Sequence, residues 1–172
     1  MRTKLFFLLL IMAVFSASAY AKIGVIDFQK VLKESDGGKD VYGKLQAKAD
    51  EYDKKLASAN ETIKKAQQEY AAKESVANDD YKDKKRGEIQ RMIRDFNQNK
   101  DDYSKDLKRL ELRYLKSIQD DVLKIIEALG KELDMEVILE QNNSGVLYLN
   151  PKVDITDVVI QRYNVVFKQQ KK

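Results

Sequence analysis

The chain has 172 residues, of which 32 are Lys or Arg and 28 are Asp or Glu, and it contains no His, Cys or Trp. Without His and Cys it cannot form a Ser-His-Asp triad, a cysteine nucleophile, a zinc finger or an iron–sulfur cluster. We therefore expect no enzyme activity, no metal site and no cofactor. A charged fraction of 35% also excludes a multispan membrane protein.

The first 21 residues have the pattern of a secretory signal peptide. Arg2 and Lys4 precede an apolar run from Leu5 to Phe15, and Ala19-Tyr20-Ala21 fits a cleavage site. We predict cleavage after Ala21 and export of residues 22–172. An uncleaved anchor is the alternative, but an apolar run of this length covers only about half of a hydrocarbon core.

Residues 39–134 predict a long helical arm. This segment contains no Pro and has 22 basic against 21 acidic residues. Its apolar residues alternate at spacings of three and four, and charged residues flank them, a pattern typical of a coiled coil. The predicted seam positions are Ala49, Tyr52, Leu56, Ala59, Ile63, Ala66 and Tyr70, followed by Ile89, Ile93, Phe96, Tyr103, Leu107, Leu110 and Tyr114.

The seam lapses between Glu74 and Asp80, where Asn78 or Asp79 can cap a second helix. We therefore predict a helical hairpin with its tip near residues 74–80. One continuous rod is the alternative.

The two ends of the chain predict short strands and helices. Strands are expected in Ile23–Phe28, Met135–Glu140 and Val146–Leu149, with a turn at residues 142–145 between the last two. A short helix from Phe28 to Ser35 is expected to stop at Asp36-Gly37-Gly38. Asp154 or Thr156 is expected to cap a final helix.

These ends, residues 22–38 and 135–172, form the predicted body of an α+β, mainly α fold. A body of this size is marginal on its own, and its strands are apolar on both faces. We therefore expect the body to oligomerise; the sequence physics leaves the number of subunits open. The expected oligomer core comprises Ile23, Val25, Val137, Leu139, Val146 and Tyr148.

Three motifs resemble the Skp/OmpH family of periplasmic chaperones. They are KIGVIDFQKVL from Lys22, DMEVILEQNNSGVLYLNP from Asp134 and DITDVVIQRYN from Asp154, and the resemblance extends over the whole processed chain. It implies a periplasmic homotrimer with a central β body and three projecting arms. It also implies an ATP-independent holdase for unfolded outer-membrane β-barrel proteins. A nucleic-acid partner is not expected, because the arm is nearly neutral and export separates the chain from nucleic acid. A structural coiled-coil envelope protein is the alternative.

One local cluster carries the excess positive charge of the arm. Residues 82–94 contain six basic and two acidic residues. Contact with acidic clients, an anionic membrane surface or lipopolysaccharide is expected there, near the tip. A solvated helix face is the alternative, just as packing within the seam is the alternative to client contact for the arm tyrosines. The candidate contact residues are Tyr81, Lys82, Lys84, Lys85, Arg86, Arg91 and Arg94.

Overall fold

The computed structural model describes residues 21–171. The predicted signal peptide, residues 1–21, therefore lies outside the described residues except for Ala21. The predicted fold class, mainly α with a small β part, is confirmed. In chain order the elements are β1 (Ile23–Ile26), α1 (Phe28–Glu34), α2 (Asp36–Lys73), α3 (Asp79–Glu132), β2 (Val137–Glu140), a 3-10 turn (Pro151–Val153) and α4 (Thr156–Gln170).

Helices α2 and α3 form an antiparallel hairpin, the arm. With 38 and 54 residues they are about 57 Å and 81 Å long. The turn between them lies at residues 74–78, inside the interval where the seam lapses. Asn78 caps α3, because its side-chain oxygen accepts a hydrogen bond from the backbone N–H of Tyr81 at 2.9 Å.

The seam of the arm is closely packed at most of the predicted positions but not at all of them. Tyr52, Ile63 and Ile89 are buried, as the heptad spacing predicts. The prediction is wrong for Ile93, which is 37% exposed. Around this position α2 contributes alanines to the seam, and their short side chains cover little apolar area.

The glycine pair after α1 lies inside a helix rather than ending one. Helix α2 begins at Asp36, where Ser35 caps it by accepting a hydrogen bond from the N–H of Gly38 at 3.0 Å. A β-carbon on Gly37 would lie 2.7 Å from the ring of Tyr163, and one on Gly38 would lie 2.7 Å from the carbonyl carbon of Leu32. The short helix does end before Asp36, as predicted, but the glycines are not a break in the helical structure: they are glycines because α1, α2 and α4 pack closely at this point.

Strands β1 and β2 pair in parallel, with Ile23 opposite Val137. On the other edge of β1, the N–H of Ile155 donates to the carbonyl of Val25 at 2.9 Å. The predicted third strand, residues 146–149, is not a strand. Both edges of β1 are occupied, whereas the outer edge of β2 is open and residues 146–149 do not pair with it.

The hydrophobic core lies where the base of the arm meets the two chain ends. Val31 of α1, Val122 and Leu129 of α3 and Val159 of α4 are almost completely buried there. The body therefore forms around the base of the arm.

Polar contacts also join the two chain ends. The hydroxyl of Thr156 accepts a hydrogen bond from the N–H of Asp27 at 2.9 Å. The carboxylate of Asp154, one of the two predicted caps, accepts one from the N–H of Thr156 at 2.8 Å. These bonds fix the start of α4 beside the end of β1.

Candidate functional site

The predicted contact cluster lies in the first turns of α3, beside the tip of the arm. Tyr81, Lys82 and Lys85 are half-buried. The other four side chains of the cluster are exposed, namely Lys84, Arg86, Arg91 and Arg94. The structure thus places all seven residues on one helix end, although they do not share one face.

Half of the six cations in the cluster are paired with neighbouring carboxylates. Lys85 lies 2.7 Å from Glu88, and this contact raises the pKa of Lys85 and lowers that of Glu88. Arg86 pairs with Asp83, and Lys82 lies 3.8 Å from Asp79. These pairs on an exposed helix stabilise it only weakly and reduce the charge available to a partner.

The remaining three cations form a stripe. Lys84, Arg91 and Arg94 have no ion pair among residues 21–171. Their spacings of seven and three place them on one side of α3, together with Gly87. Nothing lies within 4 Å of a β-carbon placed on Gly87, so the stripe is open to solvent along about 15 Å of helix.

The arm tyrosines mainly hold the two helices together. The rings of Tyr52 and Tyr103 are stacked, with centroids 4.0 Å apart and planes inclined by 3°. The hydroxyl of Tyr52 donates to Asp106 at 2.6 Å, a bond that raises the pKa of Tyr52 and lowers that of Asp106. Lys48 lies over the Tyr52 ring, 4.7 Å from its centroid. This cluster joins α2 to α3 and leaves little tyrosine surface free.

Two other arm tyrosines are also engaged within the chain. Tyr70 donates to Glu74 at 3.0 Å, and Tyr114 packs against the core cluster. Packing within the seam therefore describes the observed contacts of the arm tyrosines better than an open aromatic surface does.

The residues predicted to form an oligomer core do not share one environment. Val25 is 3% exposed and packs inside its own chain, so its prediction as a subunit contact is wrong. Burial by the chain's own α4 and β2 explains this, because β1 is the central strand. Ile23 and Val137 are exposed, whereas Leu139 and Val146 are half-buried.

The irregular segment 146–149 presents the most exposed apolar side chains of the body. Leu147 is fully exposed and Tyr148 is 82% exposed. Leu147 is not among the residues predicted for the oligomer core, although the apolar residues on both faces of this segment indicated it. An exposed Leu-Tyr pair in a body that also has an unpaired strand edge indicates a surface that another polypeptide covers.

The body also has an apolar groove beside β2. It has a volume of about 330 Å³ and lies between α1, α3 and β2. Its apolar lining comes mainly from Phe28, Leu123, Ile126 and Ile138, and Asn142 and Asn143 stand at its edge. The body therefore combines an apolar groove, an open strand edge and two protruding apolar side chains.

Other kinds of site are not found in the part of the chain that the structure describes. Residues 21–171 contain no group of carboxylates arranged to hold a metal ion. None of their helices combines the length and the apolar character needed to cross a membrane.

Comparisons with known proteins identify the family and a similar fold. A family model described as "Outer membrane protein (OmpH-like)" matches residues 22–163. The fold is similar to the crystal structure of a Caulobacter crescentus protein described as a candidate outer membrane chaperone (OmpH-like), with a TM-score of 0.80 and 17% identity. The match covers 87% of this chain and 88% of that one. No curated protein matches the chain.

At this identity the structural likeness concerns the fold alone, whereas the family model covers most of the chain, including β1, the arm, β2 and the start of α4. The chain therefore belongs to the OmpH-like outer membrane protein family.

Proposed function

We propose that the chain is an ATP-independent holdase chaperone of the periplasm, which binds unfolded outer-membrane proteins and prevents their aggregation before membrane insertion. The observation that carries the proposal is the arm, whose two helices are about 57 Å and 81 Å long and project from a small body formed around their base. Membership of the OmpH-like family and the fold shared with a candidate outer membrane chaperone support it.

The outer part of the arm offers surface for an unfolded partner. Met92 and Ile93 are partly exposed on α3, and Tyr42 and Leu112 are exposed nearer the body. Such scattered apolar groups make weak contacts that an extended chain can form and release one at a time. Binding of this kind lowers the concentration of free aggregation-prone chain by mass action, without nucleotide hydrolysis.

The basic stripe of Lys84, Arg91 and Arg94 gives the arm its long-range attraction to acidic partners. Its three unpaired cations lie near the tip, while the rest of the arm is close to neutral. In the proposed function, the stripe contacts acidic client segments. The same charge suits transient contact with an anionic membrane surface or lipopolysaccharide.

The proposed assembly is a homotrimer in which the bodies join and the arms enclose a client. The supporting observations are the open edge of β2, the adjacent apolar groove and the exposed Leu147 and Tyr148. In the trimer, residues 146–149 pair with a strand of a neighbouring copy. Pairing with another copy accounts for why this strand-forming sequence is irregular in a single chain.

The assembly surface can be tested with Leu147→Asp/Tyr148→Asp. We expect this variant to lose self-association, because each change places a carboxylate where the interface is desolvated. Light scattering after size exclusion should give three chain masses for the wild type and one for the variant. Leu112→Asp is the matched control, since Leu112 is exposed on the arm, and it should remain a trimer. A variant that still forms the trimer would remove segment 146–149 from the interface.

The holdase activity can be tested by diluting a urea-unfolded outer-membrane β-barrel protein into buffer with the processed chain. We expect the processed chain to suppress aggregation of the client at one trimer per client, whether or not ATP is added. Light scattering measures the aggregation. A structural coiled-coil protein of the envelope, the second candidate, would leave aggregation unchanged. That result, obtained with a folded trimer, would contradict the proposed function while leaving the assembly intact.

A further inference from the structure

The end of α4 extends past the region matched by the family model, which stops at residue 163. Beyond that point, four polar side chains reach the base of the arm. These are Asn164, Lys168, Gln170 and Lys171. None of these contacts has a part in the proposed function.

Asn164 completes the start of α2. Its side-chain oxygen accepts a hydrogen bond from the backbone N–H of Asp36 at 2.7 Å. The first backbone N–H groups of a helix have no partner within the helix, and Ser35 serves only that of Gly38. Helix α4 therefore supplies a cap that the sequence around α2 lacks.

Two lysines of α4 pair with two carboxylates of α2. Lys168 lies 3.1 Å from Asp36, and Lys171 lies 2.5 Å from Asp40. The carboxylate of Asp40 is mostly shielded from solvent and also contacts Lys44 at 2.7 Å. The two ammonium groups hold the pKa of Asp40 below its ordinary value. The carboxylates are one helical turn apart and so are the lysines, so both pairs form at once.

The same helix end also contacts α3. The side-chain amide of Gln170 donates to Asp121 at 3.2 Å. Between these polar contacts, the ring of Tyr163 is buried against α2. Burial raises the pKa of Tyr163 to about 12, and the nearby carboxylates of Asp121 and Asp40 add to this effect. Both arm helices therefore converge on the end of α4.

Helix α2 depends more on these contacts than α3 does. Helix α3 contributes four large side chains to the core, namely Ile118, Val122, Ile125 and Leu129. Helix α2 contributes Val41, the partly buried Leu45 and the glycine pair, so its base has less apolar area in the core than α3 has. The polar contacts from α4 therefore add to the packing of α1 and α3 in fixing α2 to the body.

We infer that residues 164–171 act as a salt-sensitive latch that fixes the base of α2 against the body, and that release of the latch lets α2 change its angle to α3. The inference concerns the geometry of the arm and does not depend on what the arm binds. Exposed ion pairs weaken as salt screens them, which makes the latch responsive to ionic strength.

The latch can be tested in the full processed chain with the double substitution Lys168→Gln/Lys171→Gln. Mass spectrometry measures the rate of backbone hydrogen exchange in the variant and in the wild type. We expect exchange in residues 36–48 to become about fivefold faster, while residues 118–129 remain protected. The wild type at high salt should show the same change. The double variant should respond to salt much less than the wild type, because only the pair of Lys44 with Asp40 remains at this place.

Lys105→Gln/Lys152→Gln is the matched control, because it removes the same charge from two exposed lysines without an ion pair within residues 21–171. It should exchange like the wild type. Asn164→Ala should speed exchange of residues 36–48 at both salt concentrations, since a neutral hydrogen bond is screened little.

A distance measurement gives an independent readout. The chain has no cysteine, so Ala47→Cys/Lys116→Cys places spin labels on exposed sites of α2 and α3 alone. With the latch intact we expect a narrow distance distribution, which the lysine substitutions broaden. The inference is overturned if the lysine variant behaves like the control variant, or if its faster exchange spreads evenly over the whole chain.

Discussion

Gly38→Ala is expected to lower the free energy of unfolding by about 3 kcal/mol, because the new methyl group meets backbone atoms that cannot move away. A β-carbon at this position would lie 2.7 Å from the carbonyl carbon of Leu32 and would overlap its oxygen. The corner between α1 and α2 is fixed by the cap of Ser35 and by the hydrogen bond from the Ser35 N–H to Val31 at 3.1 Å. The substitution therefore separates the two helices or breaks the cap.

Gly43→Ala is the matched control for this prediction. Gly43 lies in the same helix, and nothing lies within 4 Å of a β-carbon placed there. Since alanine favours helix over glycine, we expect stabilisation of about 0.5–1 kcal/mol. Urea denaturation at one fixed protein concentration, followed by circular dichroism, measures both. Equal effects of the two substitutions would contradict the close packing of the α1–α2 corner.

Leu129→Ala is expected to cost about 3 kcal/mol of unfolding free energy. Leu129 is only 1% exposed and belongs to the core cluster at the base of the arm. Truncation removes buried apolar area and leaves a cavity. The surrounding helices cannot easily move to fill this cavity, because α1, α3 and α4 pack against one another around it.

Leu112→Ala in the same helix separates this packing effect from helix propensity. Leu112 is 58% exposed, so the same change there should stay within about 0.5 kcal/mol of the wild type. Thermal and urea unfolding at matched concentration would give both values. A small loss for Leu129→Ala would mean that the base of the arm is far less tightly packed than described.

The arm could be predicted because helix-forming patterns and caps depend on residues that are close in sequence. Heptad spacing identified Tyr52, Ile63 and Ile89 as buried, and side-chain chemistry identified Asn78 as a cap. The departure at Ile93 has a tertiary cause, since its burial depends on the size of residues on the other helix. A pattern in one helix does not contain that information.

The body was harder to predict because its contacts are distant in sequence. The glycines at 37 and 38 fit a helix stop locally, yet their actual constraint comes from Leu32 and Tyr163. Val25 was correctly expected to be buried, but the sequence does not tell whether its own chain or another copy buries it. A segment becomes a strand only when it pairs with another strand. The strand-forming residues at 146–149 do not show whether such a partner is present.

The basic stripe shows the same limit for the candidate site. Sequence identified the excess of cations in residues 82–94 but not which of them are neutralised. Whether a cation forms an ion pair depends on where the neighbouring carboxylates lie in the structure. Among residues 21–171, Lys84, Arg91 and Arg94 have no ion pair, whereas the other three cations of the cluster do. Spacing along α3 then puts these three on one side of the helix.

The parallel pairing of β1 with β2 makes the entire arm a crossover connection between adjacent strands. The ends of the hairpin return to the same place whatever its length, so the sheet constrains where the arm starts and finishes but not how far it reaches. Matched insertions of whole heptads into both helices would leave the pairing of Ile23 with Val137 undisturbed. The length of the arm can therefore change, by evolution or by design, without a change in the structure of the body.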